Sequence, residues 1–447
     1  MDYLRNFLAS LFLTDRLFYA GGALVVLFVV SFWLPWLFFL PVFGLVLLLG
    51  ALGYDIYQLY QGRVRLFVNR RLPKVLSLGD EARIQIHLAN LSPLPLRLTI
   101  TDELPVQLQV RDQAIAVSLA PAQRRRVDYL VRPTHRGAHQ FGNINLFLRT
   151  DWGLAERRIQ HAQEAELPVY PSIVQMKKYE LRALDPTVPQ HGMKKMRRIG
   201  QSYEFDQIKN YVRGDDYRSI NWRATGRRGE LMVNQYEDER AQQIYCVIDK
   251  SRSMLMPFNE LSLLDYAVNA ALALSNVVLR KHDRAGLLTF SDRLGTILKA
   301  DSKSNQLQKI IQALYREKER DLEANYELLY YAVRKFIRGR SLILLFANFE
   351  SEYALQRAMP VLRRIHAAHL LVVVFFENTE IRDGLDVPIT DVAAVYQTAT
   401  ARQFLTEKTA MVSRLRQYGI QAVLTRPEDL TADTINKYLE LKTRGLI

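Results

Sequence analysis

A single cysteine, Cys246, stands among the 447 residues, so no disulfide can close within the chain. That excludes a disulfide-stabilised secreted class and fits a reducing compartment. Cys246 lies in an apolar run, where a small buried hydrophobe is expected. The usual motifs of nucleotide and metallohydrolase chemistry are absent too: there is no P-loop, no G-x-G-x-x-G and no H-E-x-x-H. The stretches GRRGEL and RGDD are too short and too charged to cradle phosphate. No Ser/His/Asp set is placed for nucleophilic catalysis, because Ser251 and Ser253 have no histidine near them and His282 closes a helical stretch beside Asp283. Charge is missing altogether from residues 17 to 54.

Those 38 uncharged residues are about twice the roughly 20 needed to cross a bilayer core. They are too long for a signal peptide and lack a small-residue cleavage site. Pro35 divides the run, with Trp33 and Trp36 on either side as interfacial anchors. The pattern predicts a hairpin of two transmembrane helices within 17–57, about 17–34 and 36–54, after a cytoplasmic segment 1–16. A single tilted span kinked at Pro35 is the rival. Arg5 and Arg16 precede the run, and Arg63, Arg65, Arg70 and Arg71 follow it. Basic flanks at both ends place both on the cytoplasmic side, which two spans satisfy and one does not. The expected location is therefore the inner cell membrane, multi-pass, with the soluble domains cytoplasmic. The net charge of +14, from 60 Lys and Arg against 46 Asp and Glu, suits an anionic surface, either lipid headgroups or nucleic acid.

From 63 to 172 the hydrophobic period changes to two, as in ARIQIHLANL and LPLRLTITDEL, with Pro, Gly and Asn at the breaks. This predicts a small antiparallel β-sandwich with a role in presentation or interaction. His135 and His139, in the turn-like THRGAH, read as solvated loop residues. Residues 173–242 form a connector and signature segment, of which 173–198 is a polar, basic linker ending in KKMRR.

Residues 199–240 mix Glu204, Asp215, Asp216, Glu230, Glu237 and Glu239 with Arg213, Arg218, Arg223, Arg227 and Arg228, around Phe205, Tyr211, Gly214 and Trp222. Asp215 and Asp216, with Glu204, can be read as a paired-carboxylate acid/base site, which would make the chain a membrane-associated enzyme. They can equally be an ion-pair network held by arginine forks. Five arginines nearby depress carboxylate pKa values, which suits salt bridges better than a general acid. Arginines beside Trp222 and Tyr217 also allow a basic nucleic-acid binder, although interleaved acids repel phosphate.

From 243 to 447 strands and helices alternate. Strands are expected at 244–249, 285–291, 295–299, 341–347, 369–376 and 420–424, and helices at 260–281, 303–317, 325–338, 352–366, 400–418 and 431–443. Continuous apolar runs such as RSLILLFANF are expected of parallel strands covered on both faces. This is an open, doubly wound α/β sheet, whose ligand crevice lies beyond the carboxyl ends of its strands. Asp249, Ser251 and Ser253 sit at such an end.

The signature EF…Y…GDD.R.INW.A.GRRGEL resembles that of the bacterial domain of unknown function 58 family, and RGAHQFGNINLFLRTDWGLAERR resembles its upstream stretch. Asn221 stands where that family usually has Asp, and Gly226 where it usually has Ala. The resemblance spans roughly 60 to 370. It implies a membrane-anchored chain with a von Willebrand factor A-like (Rossmann-like) C-terminal domain. It also implies a non-enzymatic role in binding a protein partner, a MoxR-type AAA+ ATPase, in chaperone, assembly or stress-related work. In that fold the D-x-S-x-S residues Asp249, Ser251 and Ser253 begin a metal-ion-dependent adhesion site. Asn325 stands where a Thr or Asp would complete it, and Asn348 where an Asp would. Mg²⁺ prefers anionic oxygens. With two amides in the set, flanked by Lys250 and Arg252, the expectation is weakly held Mg²⁺ or none, unless Glu350 substitutes.

Overall fold

The computed structural model describes residues 2–60, 64–110, 113–184, 204–212, 215–237, 241–383 and 392–447. These fall into two compact units, Met1–Tyr170 and Pro171–Ile447.

The first unit opens with helix Asp2–Ser10 and strand Leu11–Leu13, followed by helices Asp15–Trp33 and Phe39–Tyr60. The last two are apolar enough to span a membrane, and almost none of their surface is buried. They are joined at Leu34–Phe38, where Pro35 starts a single 3₁₀ turn. Proline suits a first turn, where its missing N–H costs nothing. The second helix does not stop where charge resumes. Asp55 is fully buried and accepts from the backbone N–H groups of Leu154 and Ala155 at 2.8 Å each, and from the Thr150 hydroxyl. The Thr14 hydroxyl donates to the Gly153 carbonyl at 2.6 Å, and Arg157 donates to the Leu59 carbonyl at 2.7 Å. The apolar hairpin is thus fastened to the β-rich part of its unit at both of its charged ends.

That part contains three sheets. In one, strand Ala82–Asn90 lies between Leu66–Arg71 and Arg124–Val131. The largest runs in the order Leu11–Leu13, Ala155–His161, Ile144–Arg149, Leu96–Asp102 and Ala114–Leu119. The third holds Leu76–Ser77, Ala165–Tyr170 and Gly137–Phe141. Alternation decides what faces inward: Ile84, Ile86 and Leu88 are buried while their neighbours are less so. The same rule overturns the solvated reading of His139. It sits on strand Gly137–Phe141 in phase with Phe141, and is buried with its pKa lowered by desolvation, whereas His135 is exposed. Arg70 is buried too, paired with Asp102, which also accepts from the Tyr129 hydroxyl.

The second unit begins with helix Ile173–Leu184, whose Met176 enters the core. The sequence from 173 is therefore not wholly a linker, and KKMRR lies outside the described residues. Strands Glu204–Asn210 and Met232–Glu237 pair antiparallel. Then comes a six-stranded sheet in the order Leu294–Asp301, Arg284–Phe290, Gln243–Asp249, Leu342–Phe346, Leu370–Phe376 and Gln421–Thr425. Five strands are parallel, and Leu294–Asp301 is an antiparallel edge. One face packs on helices Leu263–Arg280, Gln306–Arg316 and Leu430–Thr443. The other packs on Tyr326–Phe336, Glu352–Ala368 and Val392–Gln417. Leu263–Arg280 is apolar enough to cross a membrane but lies inside this core. The expected strands and helices are present with small end shifts, save that the helix expected at 400–418 begins at Val392.

Candidate functional site

The central strand Gln243–Asp249 lies between Arg284–Phe290 and Leu342–Phe346, so its carboxyl end is the middle of the crevice. A cavity of about 540 Å³ opens there, lined by Asp249, Ser251, Ser253, Asn325 and Asn348 among others. All five residues singled out from the sequence are therefore brought together.

Several of their polar atoms are already committed, however. Asp249 Oδ1 accepts the Ser251 N–H at 2.8 Å. The Ser251 and Ser253 hydroxyls bond one another at 3.2 Å. Asn325 precedes helix Tyr326–Phe336 and accepts the Leu328 N–H at 3.2 Å, capping the helix. Asn348 donates from Nδ2 to the Ser253 carbonyl at 3.0 Å, and its Oδ1 accepts from Lys408 Nζ at 3.0 Å. Lys408 also donates to the Phe349 carbonyl.

Lys408 is the functional residue that the sequence does not disclose. It sits on helix Val392–Gln417 in a run, LTEKTAM, where a lysine reads as solvated surface. The fold instead buries it among Phe375, Phe404 and the Asn348 amide. Desolvation lowers its pKa to about 8, partly offset by Glu350. Glu350 is exposed and lines the same cavity. Burial likewise pushes Asp249 up to about 6. Its Oδ2 has no hydrogen-bond partner among the described residues. The Tyr326 phenol lies beside this carboxylate, and its own pKa is raised by burial and by that negative charge.

These commitments leave few protein oxygens for a divalent cation. Asp249 Oδ2 and the two serine hydroxyls, which bond each other, are the oxygens left to it, so water would have to fill the rest of an Mg²⁺ octahedron. A lysine ammonium bound to the fifth candidate ligand, Asn348, adds repulsion. Among the described residues, no group of three His, Cys, Asp or Glu side chains could hold a metal. Lys250 does not contribute to this field, since its ammonium pairs with the largely buried Glu317 at 2.6 Å. Arg252 is exposed and lines the crevice. The acidic rim is partly neutralised: Asp292 takes a two-pronged bond from Arg320, at 2.6 and 3.1 Å, and Glu323 pairs with Arg357 at 3.3 Å.

The signature residues lie elsewhere in the unit. Asp215 accepts the Val212 N–H at 3.0 Å and the Lys209 ammonium at 3.1 Å, and these bonds hold its pKa below the usual range. Asp216 caps the turn Tyr217–Ser219 by accepting the Arg218 N–H at 3.0 Å. Asn221 caps helix Trp222–Arg228, whose last turn carries Arg227 and Arg228. Arginine forks do not hold these carboxylates: among the described residues no acid pairs with Arg218, Arg223, Arg227 or Arg228. Arg218 lies over the Tyr217 ring at 5.7 Å, and Trp222 is exposed. The backbone N–H of Tyr211 donates to the Leu231 carbonyl at 2.8 Å. Glu204 and Phe205 are described only as strand backbone, and Gly214 lies outside the described residues. Asp215 and Asp216 thus both shape this loop through hydrogen bonds to backbone N–H groups and Lys209.

The fold defines an α/β domain with a crevice at its strand ends, in a chain that also carries two helices apolar enough to span a membrane. Comparison with known proteins agrees in part. The family described as "Protein of unknown function DUF58" matches residues 207–412. A relative, "Uncharacterized protein YeaD" of Bacillus subtilis (strain 168), is 25% identical over 210 residues, covering 44% of this chain and 52% of that protein. The match thus spans about half the length of the relative. Among solved structures, Escherichia coli alpha-2-macroglobulin from domain MG7 to its C-terminus is 22% identical, with a TM-score of 0.21 over 24% of this chain and 17% of that one. The CARDB domain of PF1109 from Pyrococcus furiosus is 16% identical, with a TM-score of 0.18 over 24% and 90%. Likenesses at that level carry nothing about function.

Proposed function

We propose that this chain is a non-enzymatic, membrane-anchored interaction protein whose von Willebrand factor A-like domain receives a protein partner at the strand-end crevice. The two apolar helices cross the membrane with both soluble parts cytoplasmic, and the β-rich unit, a β-sandwich, presents the domain. The observation that carries this reading is the crevice itself. It is wide, it sits where ligands bind in such sheets, and two of its would-be metal ligands are tied up, Asn325 in a helix cap and Asn348 by Lys408. Recognition then rests on loop shape, Arg252, Glu350 and neighbouring side chains, with no ion as intermediary. The partner class implied by the resemblance is a MoxR-type AAA+ ATPase. The test is photo-crosslinking in membranes with a photoreactive residue at Arg252 or Glu350, followed by mass spectrometry. Recovery of an AAA+ ATPase from both positions supports the proposal, and adducts to lipid or to this chain alone would sink it.

A further inference from the structure

The three-stranded sheet of the first unit carries a second site. Its register sets Phe67 beside Ala89 and Arg124, and Asn69 beside His87 and Arg126. Arg71 continues the same face, because strand side chains alternate. Val68, Arg70 and Ile86, one residue out of phase, point inward and are buried. On the outer face lies a groove of about 550 Å³ lined by Arg71, Arg124, Arg125, Arg126, His87 and apolar residues, with no carboxylate in its wall among the described residues. Asp128 lies in the same row as Arg71 and Gln85 and takes a 3.1 Å bond from Arg126. Phe67 and Leu91 are 56% and 59% exposed at the groove.

We infer that this groove docks on the headgroups of anionic phospholipids. Charge selects an anion, and arginine's planar fork suits phosphate. Three features point to a bilayer as its source. Exposed Phe67 and Leu91 beside arginines are the mixture that settles at a membrane interface. The apolar helix ends at Tyr60 and the strand starts at Leu66, so the chain places them within about 20 Å of each other. Leu91 donates its N–H to the Arg65 carbonyl at 2.8 Å, which puts it at the end of the sheet where the chain arrives from that helix. The inference rests on the membrane-anchored reading above and adds which surface of the soluble part meets lipid, and which lipid.

The full chain is labelled with bimane at Leu91→Cys and placed in nanodiscs carrying a headgroup-spin-labelled lipid. Discs of phosphatidylcholine alone are compared with discs that also contain phosphatidylglycerol. Stronger quenching with phosphatidylglycerol is expected. In the triple variant Arg71→Gln, Arg124→Gln, Arg126→Gln the docking equilibrium should weaken on the order of a hundredfold, at roughly fivefold per arginine. The triple Lys variant, which keeps the charge, should retain the lipid dependence and so separates loss of docking from misfolding. Equal quenching in both lipids overturns the inference. So does a label quenched in neither but shielded from aqueous iodide in native membranes, which would mark a protein occupant. Whether the chain stays with the disc through gel filtration tests the anchoring separately.

Discussion

Asp249 carries opposite consequences for binding and for stability. Its carboxyl group is fully buried, and burial raises its pKa from 3.8 to about 6. The folded chain therefore holds this proton more tightly than the unfolded chain between those two values. Stability from this group is present below about pH 4 and is lost as pH rises through 6. Two pKa units correspond to about 3 kcal/mol at neutral pH. Asp249→Asn should accordingly raise the melting temperature at pH 7 and leave it nearly unchanged at pH 4. A stabilisation of equal size at both values would show that ionisation is not the cause. The neighbouring Asn348 gives a second prediction. Asn348→Asp alone adds a carboxylate that Lys408 claims as an ion pair, so calorimetric titration should still show weak Mg²⁺ binding. Adding Lys408→Met frees that carboxylate, and only the double variant should gain affinity. A gain in the single variant would mean that Lys408 does not control the site.

At the scale of elements, the contact that matters most is between helix Phe39–Tyr60 and the loop before strand Ala155–His161. Asp55 satisfies two backbone N–H groups and one hydroxyl there. Asp55→Ala leaves those donors buried and unpaired, a loss of about 2–4 kcal/mol at 1–3 per group after partial relaxation. Hydrogen exchange at the Leu154 and Ala155 amides should quicken in that variant, while amides of the six-stranded sheet keep their rates. Asp55→Asn keeps one acceptor and should fall between. The hairpin itself was legible from uncharged length and Pro35, because apolar length and proline chemistry are local properties. The docking role of Asp55 was not, since a charge at a helix end reads equally well as the edge of the membrane.

For the whole molecule, orientation is the property most open to direct test. Cys246 is buried and its thiol is pushed up to about 12, so it should stay unlabelled by maleimide in the folded chain. The native sequence is then a clean background for introduced cysteines. A cysteine replacing Leu37, in the turn between the apolar helices, should react with a membrane-impermeant maleimide from outside the cytoplasm. One near Ile447 should react only after lysis. An unreactive Leu37 position with Ile447 reacting from outside the cytoplasm would replace the hairpin by a single crossing.

Asn325 and Asn348 were found through the family resemblance, whereas periodicity, uncharged length and strand-end position were enough to place the apolar helices, the β-rich stretch, the α/β domain and Asp249, Ser251 and Ser253. Each depends on spacing along the chain, which folding does not alter. What those five residues do was decided only by tertiary structure. Asn325 became a helix cap and Asn348 became the acceptor of a buried ammonium because other elements arrived beside them. Lys408 lies 60 residues beyond Asn348, on a helix whose buried side is set by packing rather than by a visible pattern. Asp215 and Asp216 tell the same story in reverse, since their partners are backbone N–H groups and Lys209, not the arginines that surround them in sequence. Residue type and spacing bring candidate ligands to one strand end, but the competing hydrogen-bond partners that fold in around them determine which oxygens are left to bind anything.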